Sequence, residues 1–308
     1  MEILKNPNFD FLGKTRYFVA LSLLLILAGI GTMATQGVRY GVEFSGGSQL
    51  ILKFESAPQV DRIREAVEGV APGAVIQTYD DPAKNQVLVR IAGEQQGEID
   101  AVVTRVVDAL AKSYSGNRVL ESSSEIVGPV VGAELRRKAA LLTILGLVFQ
   151  LVYIGFRFNG AVWGAAASIA CLHDVLVTLA FLAFFKYDIT LNVIAALLTL
   201  VGYSVNDTIV IFDRARELLR ARKKETLAKT LNDALNQTLS RTMISNGTTF
   251  LSVLALFIFG GEVLRGFAFS MVVGIIVGTY STIYIASPIV VWWNSSRAGS
   301  GATAVKAA

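Results

Sequence analysis

Long apolar runs separated by short polar connections dominate this chain. Six approach the roughly 20 residues that a helix needs to cross the hydrocarbon layer of a bilayer: Tyr17–Ala34, Ala139–Phe156, Ala161–Phe185, Thr190–Phe212, Thr242–Phe259 and Gly266–Val290. The first follows Lys14 and Arg16, as a signal peptide would. Its apolar core is long, however, and no small-x-small cleavage site follows, which favours an uncleaved anchor. Between the first and second runs the pattern changes. Leu50, Leu52 and Phe54 alternate with polar or smaller neighbours across Ser48–Phe54, the signature of a half-buried strand. A helix over Gln59–Val70, strands over Ala74–Tyr79 and Val87–Ile91, a helix over Ile99–Ser113 and a strand over Arg118–Val127 follow. Asp80-Asp81-Pro82 marks the turn of the central hairpin, while Pro58 and Pro72 bound the first helix. The order β-α-β-β-α-β is the ferredoxin-like split pattern, and about 100 residues suffice for one small core.

The expected fold is a polytopic α-helical membrane protein. Six transmembrane helices carry a ferredoxin-like α/β domain inserted between the first and second. Residues 1–16 form an N-terminal segment, 17–35 the first transmembrane helix, 36–138 the inserted domain and 139–291 a five-helix bundle with a basic loop at 213–241. Residues 292–308, rich in small side chains, read as a disordered tail.

Composition agrees with that pattern: 53% of the 308 residues are hydrophobic and only 17% charged, too apolar for an ordinary soluble domain. A net charge of +4 gives no reason to expect nucleic acid as a partner, but the placement of charge sets topology. Arg214, Arg216, Arg220, Arg222, Lys223, Lys224, Lys229 and Arg241 crowd the segment between the fourth and fifth runs, against Asp213, Glu217, Glu225 and Asp233. The connections on the other side, Lys186-Tyr187-Asp188 and Gly260–Arg265, carry one basic residue each. The positive-inside bias therefore predicts a cytoplasmic basic loop and cytoplasmic termini, with 36–138 outside, periplasmic or extracellular. Arg136, Arg137 and Lys138 oppose the trend but belong to a long translocated domain, where the rule is weak.

Candidate chemistry is sparse. The single cysteine, Cys171, lies in an apolar run, so neither an internal disulfide nor a cysteine-based metal site is expected. The single histidine, His173, excludes a multi-histidine centre. The sequence contains no G-x-x-x-x-G-K-[ST] phosphate loop and no convincing Ser/His/Asp set. No cofactor, no metal and no bond-making or nucleotide-hydrolysing activity is expected.

What remains is acid inside the membrane. Asp207 falls within the fourth run, where an ionised carboxylate costs roughly 3 kcal/mol on insertion scales, so such residues usually carry function. At about 100° per residue, Asn192, Ala195, Ala196, Thr199, Gly202, Tyr203, Asn206 and Asp207 share one arc, which should face protein or water. Ile194, Leu197, Leu198, Val201, Val205 and Ile209 share the other and should face lipid. In the fifth run Arg241, Thr242, Ser245, Thr249 and Ser252 share a face, and antiparallel packing makes an Asp207–Arg241 pair reasonable. Two readings stand for it: a carboxylate whose proton occupancy switches beside an arginine, or a static ion pair. His173-Asp174, with Thr178 a turn onward, is either a second relay or a helix contact in which Asp174 fixes the imidazole tautomer. Gly266, Ser270, Gly274, Gly278, Thr282 and Ala286 form a small-xxx-small stripe for close helix packing, within the chain or against a neighbouring subunit. The glycines of Gly41-Val42-Glu43-Phe44-Ser45-Gly46-Gly47 read as a turn into the first strand, with a backbone anion nest as the alternative.

Together, the Gly41–Gly47 motif, His173-Asp174, Gly202-Tyr203-Ser204-Val205-Asn206-Asp207-Thr208 running into Phe212-Asp213-Arg214, Arg241-Thr242, Phe259-Gly260-Gly261 and the Gly274–Tyr284 stripe resemble the SecF branch of the SecD/SecF family of protein-export membrane proteins. The resemblance covers the whole chain short of the tail. It implies half of an RND-like transporter, with SecD supplying the other half, in the bacterial cytoplasmic (inner) membrane. It implies use of the proton gradient to help draw unfolded preproteins out of the SecYEG channel, with YajC and YidC as further candidate partners. Asp207 and Arg241 would lie on the proton path with an aspartate from SecD, supported by Asn206, His173 and Asp174. The small outer domain would serve support and coupling. Two rival readings are an RND-like proton-coupled efflux transporter, which needs roomier outer domains, and a non-transporting scaffold or receptor, which gives Asp207 no reason to face inward.

Overall fold

Alternation along the first strand organises the inserted domain. In a computed structural model that describes residues 7–79, 82–91, 96–114, 116–158, 161–221 and 225–299, strand β1 (Gly47–Phe54) turns Leu50, Leu52 and Phe54 into a sealed core. Helix α3 (Val60–Glu68) covers it with Ile63 and Val67, and α4 (Gln96–Ser113) with Val106 and Leu110. Strands β2 (Val75–Tyr79), β3 (Gln86–Ile91) and β4 (Val119–Val127) complete an antiparallel sheet in the order β2-β3-β1-β4, the ferredoxin-like arrangement. Asp80 and Asp81 of the expected hairpin turn lie outside the described residues. Pro82 opens a short 3-10 turn, and Asn85 closes the connection with φ +53°.

Among the described residues, six helices are long and apolar enough to cross a membrane. Helix α1 (Thr15–Gln36) leads to the domain, and α5 (Pro129–Phe158) returns from it. Because α5 begins at Pro129, Arg136, Arg137 and Lys138 belong to a helix that runs on into the membrane span. Helices α6 (Ala161–Phe184), α7 (Leu191–Ala221) and α8 (Leu227–Phe259) follow. The last span is compound: α9 (Glu262–Ser281), a π turn (Thr282–Ala286) and α10 (Ser287–Gly299). Pro288 explains the break, since it has no N–H for the carbonyl one turn back. The Ser287 N–H and its hydroxyl both donate to the Thr282 carbonyl, the hydroxyl at 3.0 Å, which closes the wide turn. The most apolar stretches of α6 and α9–α10 are largely buried, whereas few residues are fully buried in those of α1, α5 and α8, which suit lipid or a partner protein.

The expected basic loop at 213–241 is corrected by the structure. Helix α7 continues to Ala221 and α8 starts at Leu227, so most of the segment is a helical hairpin. Phe212, Ala215 and Leu218 of α7 pack on Leu231, Ala234 and Leu235 of α8. Their helical spacing was hidden among the charges. Thr226 caps α8, its hydroxyl accepting from the Lys229 N–H, while Arg222, Lys223 and Lys224 lie outside the described residues. The expected disordered tail is likewise helical to Gly299 in α10, and residues 300–308 lie outside the described set, as do 1–6 of the N-terminal segment.

Domain and bundle meet around the glycine motif. Gly41–Gly47 folds as a one-turn helix α2 (Val42–Ser45) followed by Gly46 and Gly47 at φ +72° and +122°, so the turn reading holds. A Cβ on Gly132 of α5 would come within 2.9 Å of the Gly46 nitrogen, so backbone meets backbone here. The Asp188 carboxylate, in the α6–α7 connection, bonds Arg39 Nε at 2.9 Å and Arg90 Nη1 of β3 at 2.8 Å. Beside it, the Gly41 N–H donates to the Ile189 carbonyl at 2.9 Å and the Ile189 N–H to the Arg39 carbonyl at 2.8 Å.

Candidate functional site

Helix α7 carries the central carboxylate. Asp207 is only 5% exposed. Its Oδ2 accepts from Asn246 Nδ2 of α8 at 2.5 Å. The same amide nitrogen donates to Thr279 Oγ1 of α9 at 2.7 Å, and Tyr203 Oη of α7 donates to Asn246 Oδ1 at 3.0 Å. The amide is thus bound on both ends and fixes the carboxylate against three helices. An amide N–H can donate to a carboxyl oxygen whether or not the group is protonated, so this contact tolerates either charge state.

Arg241 does not make the expected ion pair with Asp207. It lies about one and a half turns from Asn246 along α8, exposed, on the wall of a cavity of about 1190 Å³ that opens at the α7–α8 hairpin. Asp213, Arg214, Glu217 and Asp233 also line that cavity, which reaches Ile209 and Val210, within a turn of Asp207. Arg214 Nε donates to Gln237 Oε1 at 2.8 Å, and Asp213 bonds Arg157 of α5 at 2.6 Å. The N-terminal segment forms part of the rim, where Pro7 and Asn8 line the space. Asn232 and Asn236 hold that segment by its backbone, accepting from the Phe11 and Phe9 N–H groups at 3.0 and 2.8 Å. Both amides also donate to the Phe9 carbonyl, at 2.9 and 3.0 Å. Asn246, Thr279 and this asparagine pair went unrecognised in the sequence, although an asparagine inside an apolar run was the available signal for the first.

The helical wheel of α7 needs correction. Leu197, Val201 and Val205, expected toward lipid, are buried against neighbouring helices, while Ala195, Thr199, Gly202 and Asn206, expected inward, are exposed. The wheel equated small and polar with inward-facing. Here α6, α8 and α9 pack on the apolar side of α7, and the small, polar residues form an outer stripe, approached at Gly202 by Gln150 of α5 and continued by the exposed Ser245, Thr248 and Ser252 of α8. Asn206 therefore stands on that outer surface, apart from the Asp207 contact.

His173 and Asp174 of α6 are sealed in the core at 8% and 0% exposure. His173 Nδ1 and Asp174 Oδ1 are 2.9 Å apart, and the Ser204 hydroxyl of α7 donates to Asp174 Oδ2 at 2.5 Å. Serine, histidine and aspartate thus meet after all. The hydroxyl bonds the carboxylate rather than the imidazole, which is not the order that activates a serine nucleophile. Three glycines of the small-residue stripe face α7 within the chain. A Cβ on Gly266, Gly274 or Gly278 would meet Val193, Leu200 or Ser204 of α7 at 3.1, 2.5 and 3.2 Å, and Ser270 is buried among them. Among the described residues no cluster of His, Cys, Asp and Glu is placed to hold a metal.

Among the described residues, six candidate spans that bury two carboxylates, Asp174 and Asp207, with a small α/β domain inserted between the first two, define a multi-pass membrane protein of the transporter kind. Residues 106–296 match the family described as "Protein export membrane protein SecD/SecF, C-terminal", and residues 31–58 match the "SecD/SecF GG Motif". A protein translocase subunit SecF from Calditerrivibrio nitroreducens is 39% identical over 96% of this chain and 98% of its own length. The SecF of Pseudomonas aeruginosa is 37% identical, covering 94% and 93%. The crystal structure of SecDF from Thermus thermophilus, a translocon-associated membrane protein, superposes with a TM-score of 0.83 at 37% identity over 94% of this chain. SecDF in its Super-membrane-facing form gives 0.71 at 36% over 97%. This chain spans 39% and 40% of those two SecDF chains. The chain belongs to the SecD/SecF family, and its fold is one half of an RND-like transporter.

Proposed function

We propose that this chain is the SecF half of a SecD–SecF complex that draws on the proton gradient to promote preprotein passage across the cytoplasmic membrane. The observation that carries this reading is the Asp207 carboxylate, buried mid-bundle on an adaptable amide and within a turn of a polar cavity lined by Arg241. A static structural pair would have brought the arginine to the carboxylate. Instead the acid is sealed and the cation waits on the cavity wall, an arrangement suited to a proton arriving from one side and leaving to the other. The transmembrane potential supplies about 2.3 kcal/mol per elementary charge per 100 mV, and charge moved at Asp207 can bias which helix packing is favoured.

SecD is the proposed partner for the outer stripe of α7 and α8. Asn192, Thr199, Gly202 and Asn206 would be poor neighbours for lipid and good ones for another helix, where small residues permit close approach and polar ones bond across the gap. An aspartate from SecD reaching this face would complete the proton path. The positive-inside bias supports placing the α7–α8 hairpin and both termini in the cytoplasm and the α/β domain outside, where SecYEG-bound preprotein emerges. YajC and YidC are further proposed partners of that assembly.

The decisive variants are Asp207→Asn and Arg241→Met in the complex with SecD. Each is expected to assemble normally and to lose the gradient-dependent part of preprotein export in inverted vesicles. Full gradient-dependent export by Asp207→Asn would remove the carboxylate from the mechanism.

A further inference from the structure

A second polar chain links α7 to α6, α9 and α1, and the proton path proposed above makes no use of it. It starts at Ser204 on α7, whose hydroxyl donates to Asp174 Oδ2 of α6 at 2.5 Å. Asp174 Oδ1 faces His173 Nδ1 at 2.9 Å. His173 Nε2 lies 3.2 Å from the Tyr280 hydroxyl of α9, and that hydroxyl lies 3.0 Å from Ser22 Oγ of α1. Ser22, His173, Asp174 and Ser204 are each buried, at 3%, 8%, 0% and 2% exposure.

Four helices are therefore strung on one series of hydrogen bonds, and its two ends are informative. Ser204 precedes Asp207 by less than a turn of α7, so any rotation or slide of α7 that follows a change at Asp207 moves Ser204 as well. Ser22 sits on α1, the helix that leads directly into the α/β domain. Apolar contacts alone would let α7 slip past α6. A hydrogen bond to a buried carboxylate resists that, because a parted Asp174 would lose one of its few donors in the core. Gly278 allows the approach: a Cβ there would come within 3.2 Å of Ser204 and 3.5 Å of Asp174 Oδ2. The packing of α1 is equally close, since a Cβ on Gly29 would fall 2.7 Å from the Ala180 Cα of α6.

We infer that Ser204, Asp174, His173, Tyr280 and Ser22 form the coupling element that carries movement of α7 to α1 and so to the α/β domain. His173 and Tyr280 are positioning residues in this scheme and need not exchange protons with either side. The inference rests on the proton-driven reading of Asp207 given above.

Tyr280→Phe tests it with one lost hydroxyl, keeping the edge-on ring contact with His173 (centroids 5.6 Å apart). Preprotein export and proton uptake are measured together, in vesicles holding the full complex with SecD, for wild type, Tyr280→Phe, Ser22→Ala and Asp207→Asn. Tyr284→Phe, on the same helical segment but outside the chain, is the control. Tyr280→Phe and Ser22→Ala should each raise the number of protons taken up per preprotein exported by at least about five-fold, the lower end of ordinary coupling energies, with proton uptake retained. Tyr284→Phe should leave the ratio as in wild type. An unchanged ratio in Tyr280→Phe and Ser22→Ala, or a parallel fall of both quantities, would overturn the coupling role while leaving the proton path intact. Wild-type export and uptake in Asp207→Asn would instead overturn the proton path, and this inference with it.

Discussion

Asp207 and Asn246 show how much one missing partner changes at the scale of a residue. The sequence exposed Asp207 because a carboxylate in an apolar run is costly and therefore conspicuous. It did not expose Asn246, an unremarkable type among the Ser, Thr and Asn residues that dot the fifth span. Arg241 looked like the natural counter-ion because opposite charges attract the eye, but contact needs matching depth, and Asn246 lies deeper on α8. Asn246→Ala strips Asp207 of its amide donor and leaves Tyr203 and Thr279 without their shared partner. The expected cost is about 1–3 kcal/mol, read as a lower unfolding midpoint of the purified complex, together with reduced gradient-dependent export. Wild-type stability and export in Asn246→Ala would mean that the carboxylate finds other support.

Among the elements, helix existence was plain from the apolar runs, and the domain's strands and helices followed from period and punctuation. Two kinds of information were not local enough to read. The α7–α8 hairpin hid its Phe212, Ala215, Leu218 and Leu231, Ala234, Leu235 faces beneath a dense charge pattern. The outer face of α7 could not be recognised as outer without knowing which helices crowd its other side. Glycine packing, by contrast, depends on distances that only the fold supplies. Gly29→Val should drive α1 from α6, where a Cβ would fall 2.2 Å from the Ala180 Cβ, whereas Gly31→Val meets nothing within 4 Å. The first is expected to lose about 1–3 kcal/mol by overpacking and the second to stay within about 0.5 kcal/mol. Parallel thermal unfolding of the two variants checks this, and equal midpoints would contradict the close α1–α6 approach.

At the scale of the whole molecule, the α/β domain is tied to the bundle just beyond the end of α1. Asp188 binds Arg39 and Arg90 at once, and the Gly41–Ile189 backbone bonds lie beside it. Asp188→Ala leaves two arginines facing each other without a counter-charge. The expected result is faster hydrogen exchange over residues 37–46, with exchange in the β-sheet core unaltered. The outer stripe makes a separate prediction. Gly202→Trp, on an exposed position of α7, should abolish co-purification with SecD while leaving the chain's own unfolding midpoint within a few degrees of wild type. Retained association would place the partner on another face.

Exchange of a proton at Asp207 while it is buried is what separates energy coupling from static support. Infrared difference spectra of the complex in vesicles, recorded with and without an imposed proton gradient, address that directly. A protonated-carboxyl band that rises and falls with the gradient in wild type and is absent in Asp207→Asn is the predicted result. A spectrum in which no band assignable to Asp207 changes, while export proceeds, would contradict it.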